Sequence, residues 1–402
     1  MKGLQVQSQS SFRAVTSVCA RLTVILSLVA CTSDSRESKP RVLMGSSPRS
    51  DSTVSRSGAA ATPNDRGASK TALGSLSRIP DTLLGETLVS TEGGTLQYPS
   101  DMAFLPDGNL AVLDFGPPAI LVIDPESGEQ RSVIGRRGKG PGELFYPLGL
   151  IARGDTLATA NIGNGRFEAY VAGKPIRQTG RLPSYVRVGR VVLNPDGSFL
   201  LPTAGRFNTL VRWFNRDGTV RRDVGSVLET PDTIWRFVEN REAVLTGKVP
   251  RYFRNGVLAA AEGDTAVWLA YNTEPSIERH DLKSGLTARF TLPESLAASI
   301  RSDVLRRNQA DTTNSTVIGL EYFADLKFAS GFLWALTKGG QGTASYLVCV
   351  DAHQRMQLSR LQGTNSGGRL VLDSTRRRLL VSSMTDAAIM SFSLPILVAE
   401  LR

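Results

Sequence analysis

Tyr98-Pro99-Ser100-Asp101-Met102-Ala103-Phe104-Leu105-Pro106-Asp107-Gly108-Asn109-Leu110-Ala111-Val112-Leu113-Asp114 reads as two short strands around a Pro-Asp-Gly turn. The chain then runs through Ala119-Ile120-Leu121-Val122-Ile123, turns at Pro125-Glu126-Ser127-Gly128, and continues from Arg131 to Gly135. Four apolar segments separated by tight turns are what an antiparallel four-stranded meander requires.

The unit recurs along the chain. Tyr146-Pro147-Leu148-Gly149-Leu150 restarts it about 47 residues on, with a turn at Gly154-Asp155 and a third strand from Phe167 to Val171. A third copy runs from Val191 through Asn194-Pro195-Asp196-Gly197 to Leu210–Phe214, and a fourth from Leu258 to Leu292. A fifth occupies Tyr322 to Leu361, and a shortened sixth Arg369 to Leu394. A sheet of this size cannot bury both of its faces alone, so the copies must stack radially and close a ring. The expected fold is therefore all-β: a six-bladed β-propeller of four-stranded antiparallel blades over residues 81–402. The sixth copy lacks a fourth strand, and Asp81 to Ser90 is the stretch expected to supply it. Seven blades, with one hidden in residues 225–256, or a pair of β-sandwiches are the structural alternatives.

Ahead of the repeats lie two segments of different character. Residues 1–30 carry Lys2, Arg13 and Arg21 with no acid and end in the apolar run Leu22–Ala30, the pattern of a signal peptide. Nine helical residues rise about 14 Å, roughly half the hydrocarbon thickness, so the run does not span a bilayer by itself. Leu28-Val29-Ala30-Cys31 resembles the lipobox of bacterial lipoproteins. That resemblance implies a lipid on Cys31 as the new N-terminus, with Thr32 in place of an inner-membrane retention Asp. Residues 31–80 are rich in Ser, Thr, Arg and Pro, lack aromatics and hold no apolar period, which reads as a disordered tether. The expected location is therefore the cell envelope, at the outer membrane, with the membrane reached through the lipid.

Of the formal charge of +10, residues 81–402 carry only 36 basic against 33 acidic groups. The basicity thus belongs to the leader and tether, where anionic lipid accounts for it, and the electrostatic case for nucleic acid fails. Removing Cys19 with the leader and committing Cys31 to lipid leaves Cys349 alone, so no internal disulfide is expected. Cys349, within Tyr346–Val350, reads as a buried strand thiol.

Around residues 99–114 the pattern Pro-x-x-ϕ-x-x-ϕ-x-Asp-Gly-x-ϕ-x-Val-x-Asp, with ϕ apolar, resembles NHL-type and related TolB-like six-bladed propellers of exported bacterial proteins. The linker Gly135–Pro147 shares the resemblance, which is good over residues 95–175 and architectural beyond. Relatives of that kind range from binding modules to lactonases and lyases, so the fold licenses no single activity. The Gly-rich linker itself is no phosphate loop, because Lys139 is followed by Gly140-Pro141-Gly142 and not by Ser or Thr opening a helix. Pro293 to Asn308 is the one strongly helical stretch, an insertion between the fourth and fifth copies.

Aligning the copies by their turns puts Asp114, Asn161, Thr203, Tyr271, Thr337 and Ser383 at matching ends of second strands. Asp101, Asp325 and Lys327 fall on the channel-lining first strands. Ligand-binding candidates are thus Asp101, Asp114, Asn161, Tyr271, Asp325 and Lys327. Set against this, Asp and Asn at such positions ordinarily satisfy local turns. A monomeric, non-catalytic module for a protein, peptide or glycan needs no cofactor. A lactonase-type hydrolase would need calcium or magnesium on convergent oxygens, and a lyase would need one of only two histidines, His280 and His353.

Overall fold

The computed structural model describes residues 79–90, 96–176, 180–183, 190–228, 237–248, 254–311, 317–339, 344–351, 353–364, 368–383 and 386–394. The chain divides into two compact units, residues 1–72 and 73–402, and every described residue lies in the second. Cys31, the leader and the tether up to Arg78 are outside the described residues.

All-β architecture is observed. After β1 (Thr82–Val89), four separate antiparallel four-stranded sheets follow in chain order. The first is β2 (Pro99–Phe104), β3 (Leu110–Phe115), β4 (Pro118–Ile123) and β5 (Gln130–Ile134). The second is β6 (Pro147–Arg153), β7 (Thr156–Asn161), β8 (Arg166–Val171) and β9 (Lys174–Pro175). The third is β10 (Val192–Leu193), β11 (Phe199–Pro202), β12 (Val211–Phe214) and β13 (Val220–Val224). The fourth is β14 (Val257–Glu262), β15 (Ala266–Tyr271), β16 (Ser276–Asp281) and β17 (Gly285–Thr291).

Six separate sheets were expected; the remaining strands instead form one sheet of eight. Its members are β18 (Phe323–Ala329), β19 (Phe332–Thr337), β20 (Tyr346–Val350), β21 (Met356–Gln362), β22 (Leu370–Asp373), β23 (Arg378–Ser383) and β24 (Ala388–Ser393), together with β1. The order is β18-β19-β20-β21-β1-β24-β23-β22. The physical cause is β1, which has two partners. Thr82–Leu84 pair in parallel with Arg360–Gln362, and from Gly85 onward the strand pairs antiparallel with Phe392 to Ile389. The stretch assigned to complete the last copy thus does so, and also bonds the copy before it. Among the described residues, anchoring extends two residues before the expected boundary, where Ile79 N donates to Gln357 Oε1 (2.8 Å) and Ser359 Oγ to the Pro80 carbonyl (2.6 Å).

Side-chain alternation explains why the second strand of a copy is buried on both faces over most of its length. In β3, Leu110 and Val112 pack with Leu380 and Ile389 of the eight-stranded sheet, while Ala111 and Leu113 pack with Leu150 and Leu157 of the second sheet. Both faces are covered, so each such Leu contributes about 1.5–3 kcal/mol of burial. Outer strands such as β5 and β13 face solvent over four of five residues. Asp-Gly turns repeat one chemistry: the carboxylates of Asp107, Asp196 and Asp217 accept from the backbone two residues on, with Gly108, Gly197 and Gly218 at positive φ.

First strands touch in a cycle: β2 meets β6, β6 meets β10, β14 meets β18, β18 meets β22 and β22 meets β2, with β11 reaching β14. Between the second and third sheets the approach is so close that a Cβ on Gly149 would sit 2.4 Å from the Val191 carbonyl oxygen.

The expected helix is α2 (Glu294–Ala310), and residues 225–256 contribute α1 (Phe237–Leu245); among the described residues they contain no strand of a seventh sheet. Leu296, Ile300 and Val304 of α2 join Trp268, Tyr322 and Leu333 in one buried cluster, so the insertion is part of the core. Arg241 of α1 donates to the Asn308 and Asp311 carbonyls, a cation on the negative end of α2. No described helix is long and apolar enough to cross a membrane.

A Cβ on Gly85 would meet Phe392 Cε1 at 2.5 Å and the Gln362 carbonyl at 3.1 Å, where β1 changes partner. Gly85→Val is expected to lower unfolding free energy by about 1–3 kcal/mol in urea titration. An unchanged midpoint would remove β1 from the closure.

Candidate functional site

Five charged side chains meet where the first strands converge. Asp101 of β2 and Asp325 of β18 occupy matching positions, each one residue after a bulge in its strand. Both are buried, at 1% and 0% exposure. Asp101 Oδ2 accepts from Leu150 N (2.8 Å) on the next sheet, and Asp325 Oδ2 from Leu370 N (2.9 Å) on β22. Their Oδ1 atoms accept from Met102 N and Leu326 N, both at 2.9 Å. Each aspartate therefore stitches its own first strand to the neighbouring one.

Three cations complete the group. Arg190, just before β10, donates Nη2 to Asp101 Oδ1 (2.5 Å) and Nη1 to Asp325 Oδ1, so it reaches both carboxylates across the axis. Lys327 Nζ donates to Asp101 Oδ1 and to the Met102 carbonyl, both at 3.3 Å. Arg369, just before β22, donates Nε to the Ser100 carbonyl (3.0 Å) and Nη1 to the Ala324 carbonyl (2.6 Å). Among the described residues, two acids against three bases leave one positive charge in excess. Glu321 lies within electrostatic reach of Arg369, but its carboxylate is paired with Lys338 at 3.0 Å. The cations, unlike the aspartates, keep some exposure: 11% for Arg190, 23% for Lys327 and 20% for Arg369.

Burial would raise the Asp101 pKa, but Arg190, Lys327 and Arg369 outweigh it and hold the carboxyl far below the usual range. Burial pushes the Lys327 ammonium down to about 8, against the pull of Asp101 and with Arg190 and Arg369 adding repulsion. It lowers both guanidinium groups as well, and these remain charged.

The structure brings together Asp101, Asp325 and Lys327 and separates Asp114, Asn161 and Tyr271 from them. Asp114 accepts from Gln97 N (2.7 Å), Tyr98 N (2.9 Å) and Gly116 N (3.0 Å). Asn161 accepts from Phe145 N (2.8 Å) and donates to the Glu143 carbonyl (2.7 Å). Both anchor the chain entering a sheet. Thr203, Thr337 and Ser383 bond their own turns. Tyr271 donates to Glu278 Oε2 (2.7 Å), which also contacts His280 Nε2 (2.9 Å). Burial opposes ionisation of Glu278, but the bonds from His280 and Tyr271 lower its pKa; burial and Glu278 raise that of Tyr271. His353 is exposed in a turn, and burial, then Asp351, raises the Cys349 thiol. The Gly-rich linker is held by Asn161, Asn164, Arg166 and Glu168, as befits a connection between sheets.

A divalent cation of the lactonase kind does not fit this centre. Among the described residues no group of three or more His, Cys, Asp or Glu could hold a metal. Both channel carboxylates already accept on both oxygens, and three cations stand where a fourth would be repelled.

No family model matches the sequence, and no curated protein matches it. Solved structures similar to it are of the propeller type. A gluconolactonase from Xanthomonas campestris is 14% identical, covering 77% of this chain and 89% of that one, TM-score 0.46. A Bacteroides fragilis protein is 13% identical over 82% and 96%, TM-score 0.48, and a streptogramin B lyase 11% over 78% and 98%, TM-score 0.45. Likeness at this level says nothing of chemistry.

Arg190 and Arg369 escape a reading based on second-strand ends. The signal lies one strand earlier: Gly189-Arg190-Val191-Val192-Leu193 and Gly368-Arg369-Leu370-Val371-Leu372 share one pattern. Ser100-Asp101-Met102-Ala103-Phe104 and Ala324-Asp325-Leu326-Lys327-Phe328 share another. Acidic and basic versions of the first strand are thus both repeated.

Asp101→Asn would leave Lys327 without its buried counter-charge and Arg190 with Asp325 alone. A loss of about 3–5 kcal/mol is expected in urea unfolding, partly restored by adding Lys327→Met. Because the Asp101 pKa is depressed, its contribution is present above the unfolded value near 4 and fades as pH falls below it. An Asp101→Asn midpoint equal to wild type at pH 7 would show that the network adds no net stability.

Proposed function

We propose that this chain is a six-bladed propeller, held at the cell envelope through a lipid on Cys31, that binds an anionic ligand over the cluster of Arg190, Lys327 and Arg369. Six is the number of first strands in the contact cycle, and the eight-stranded sheet counts as two blades joined by β1. The observation that carries the binding reading is the asymmetry of the cluster. Its acids are buried and saturated, whereas its cations are in excess, partly exposed and still hold donors. Lys327 Nζ uses two of its three protons, and Arg369 Nη2 has no hydrogen-bond partner among the described residues. A carboxylate or phosphate fits such a place, since guanidinium groups pair their donors with two oxygens of either anion.

One observation favours a second, enzymatic reading without metal. Lys327, beside Asp101 and with its pKa near 8, can hold or give up a proton close to neutral pH. Such an enzyme would turn over a lactone or eliminate a leaving group with chelator present, and would lose that activity in Lys327→Met.

Titration of the purified protein with galacturonate is the direct test, with galactose as the neutral control. Heat with the first alone is expected, weakened about ten-fold by Lys327→Met, a change of about 1.4 kcal/mol. Affinity should fall as pH rises through about 8, because a Lys with depressed pKa loses its charge there. Equal heats from both sugars, or affinity flat from pH 7 to 9, would overturn the anion reading. The anchor is tested separately: Cys31→Ser should move the protein from the membrane fraction to the soluble one, and a soluble wild type would sink that part.

A further inference from the structure

Four aromatic side chains at the entry to the first two sheets form an unbroken row. Tyr98 and Phe115 have ring centroids 6.1 Å apart, Phe115 and Tyr146 5.6 Å, and Tyr146 and Phe145 4.6 Å. All four are partly exposed, and none belongs to the buried apolar clusters that hold the sheets together. The row is fixed from beneath. Asp114 holds Tyr98 N, the Tyr98 carbonyl accepts from Phe115 N (2.9 Å), and Asn161 holds Phe145 N. Tyr146 sits at φ 54°, a left-handed conformation that is uncommon for a bulky residue, kept by Ile162 N donating to its carbonyl (3.2 Å) and Gly163 N to that of Phe145 (2.8 Å).

Each end of the row carries a cation. Arg369 donates to the Ser100 carbonyl, two residues from Tyr98, and lies within electrostatic reach of the Tyr98 phenol. At the other end the exposed Lys139 places Nζ 4.9 Å from the centre of the Phe145 ring. The surface therefore reads charge, ring faces, charge.

We propose that the row Tyr98–Phe115–Tyr146–Phe145 is an extended subsite for an acidic oligosaccharide, whose sugar faces stack on the rings while its carboxylates meet Arg369 and Lys139. The proposal rests on the anion-binding reading of the cluster and names the class of ligand. Charge complementarity with a chain of uronic acids follows from the cations at both ends. Partly exposed rings suit a ligand that keeps its hydroxyl groups in water. A peptide adding as a strand would need free backbone donors, but Leu150 N and Leu370 N at the first strands are taken by Asp101 and Asp325. Asp114 and Asn161 act here as positioning residues for the row.

The test uses the full chain and calorimetric titration with oligogalacturonate, galacturonate monomer, poly-glutamate and vesicles of anionic lipid. Oligogalacturonate is expected to bind at least ten-fold more tightly than the monomer. Tyr146→Ala should remove that gain and leave monomer binding unchanged, whereas Tyr146→Phe, which keeps the ring, should retain it. Thermal melts of both variants establish that they are folded, and Phe115→Leu serves as a second ring deletion. Monomer binding with no gain for the oligomer, or a gain that survives both ring deletions, overturns the subsite and leaves the cluster reading intact. Absence of binding by either uronate overturns both. Poly-glutamate or vesicles binding in place of oligogalacturonate would overturn the saccharide assignment.

Discussion

Hydrogen bonding by β1 is the constraint on which the ring depends. A stack of sheets joined end to end leaves two exposed faces and two strand edges, and the cost of both falls on the ends of the chain. Here residues from near the start of the folded unit supply the outer strand beside β24 and, three residues earlier, a parallel bond to β21. Leu83 and Phe392 are both buried in the same cluster as Trp334 and Leu379, so the closure is made by packing as well as by backbone bonds. It also makes two repeats into one continuous sheet, whereas the other four repeats remain separate.

A ring of first strands brings side chains from distant copies to one axis, and the charged cluster follows from that geometry. Arg190 could not contact Asp101 and Asp325, 89 and 135 residues away, in any local structure. Burying five charges is expensive, and their mutual attraction offsets that only where each carboxylate is also hydrogen-bonded. Both aspartates meet the condition through backbone N–H groups of their own and the next first strand. The same bonds that make the ions tolerable also hold adjacent sheets in register. The two signs therefore differ in use: the acids are spent on the scaffold, and the surplus positive charge lies on the partly exposed side chains.

Asp114 and Asn161 show how one repeat position can serve a surface it does not form. Each lies at a second-strand end and satisfies the backbone of the segment entering its sheet, and that segment carries the aromatic residue presented outside. Equivalent positions in other copies hold Thr203, Thr337 and Ser383, whose hydroxyls bond the turns that follow them.

Periodic apolar runs, Asp-Gly turns and the 47-residue repeat determined the strands, their antiparallel pairing within each copy and the closing role of residues 81–90, because these are local patterns read at period 2. The helix at 294–310 was legible from its own 3.6-residue period, whereas α1 was not: its apolar pattern is weak, and its place is set by Arg241 at the end of α2. Asp101, Asp325 and Lys327 were legible as residues of the first strands, the strands that line the channel of a propeller. Which of the aligned polar residues meet was decided only by tertiary structure. Radial stacking puts first-strand residues together and holds second-strand ends apart. Arg190 and Arg369 enter from segments before the strands, where no period assigns a face, and the joining of two repeats by β1 depends on a parallel bond of three residues that no local pattern marks.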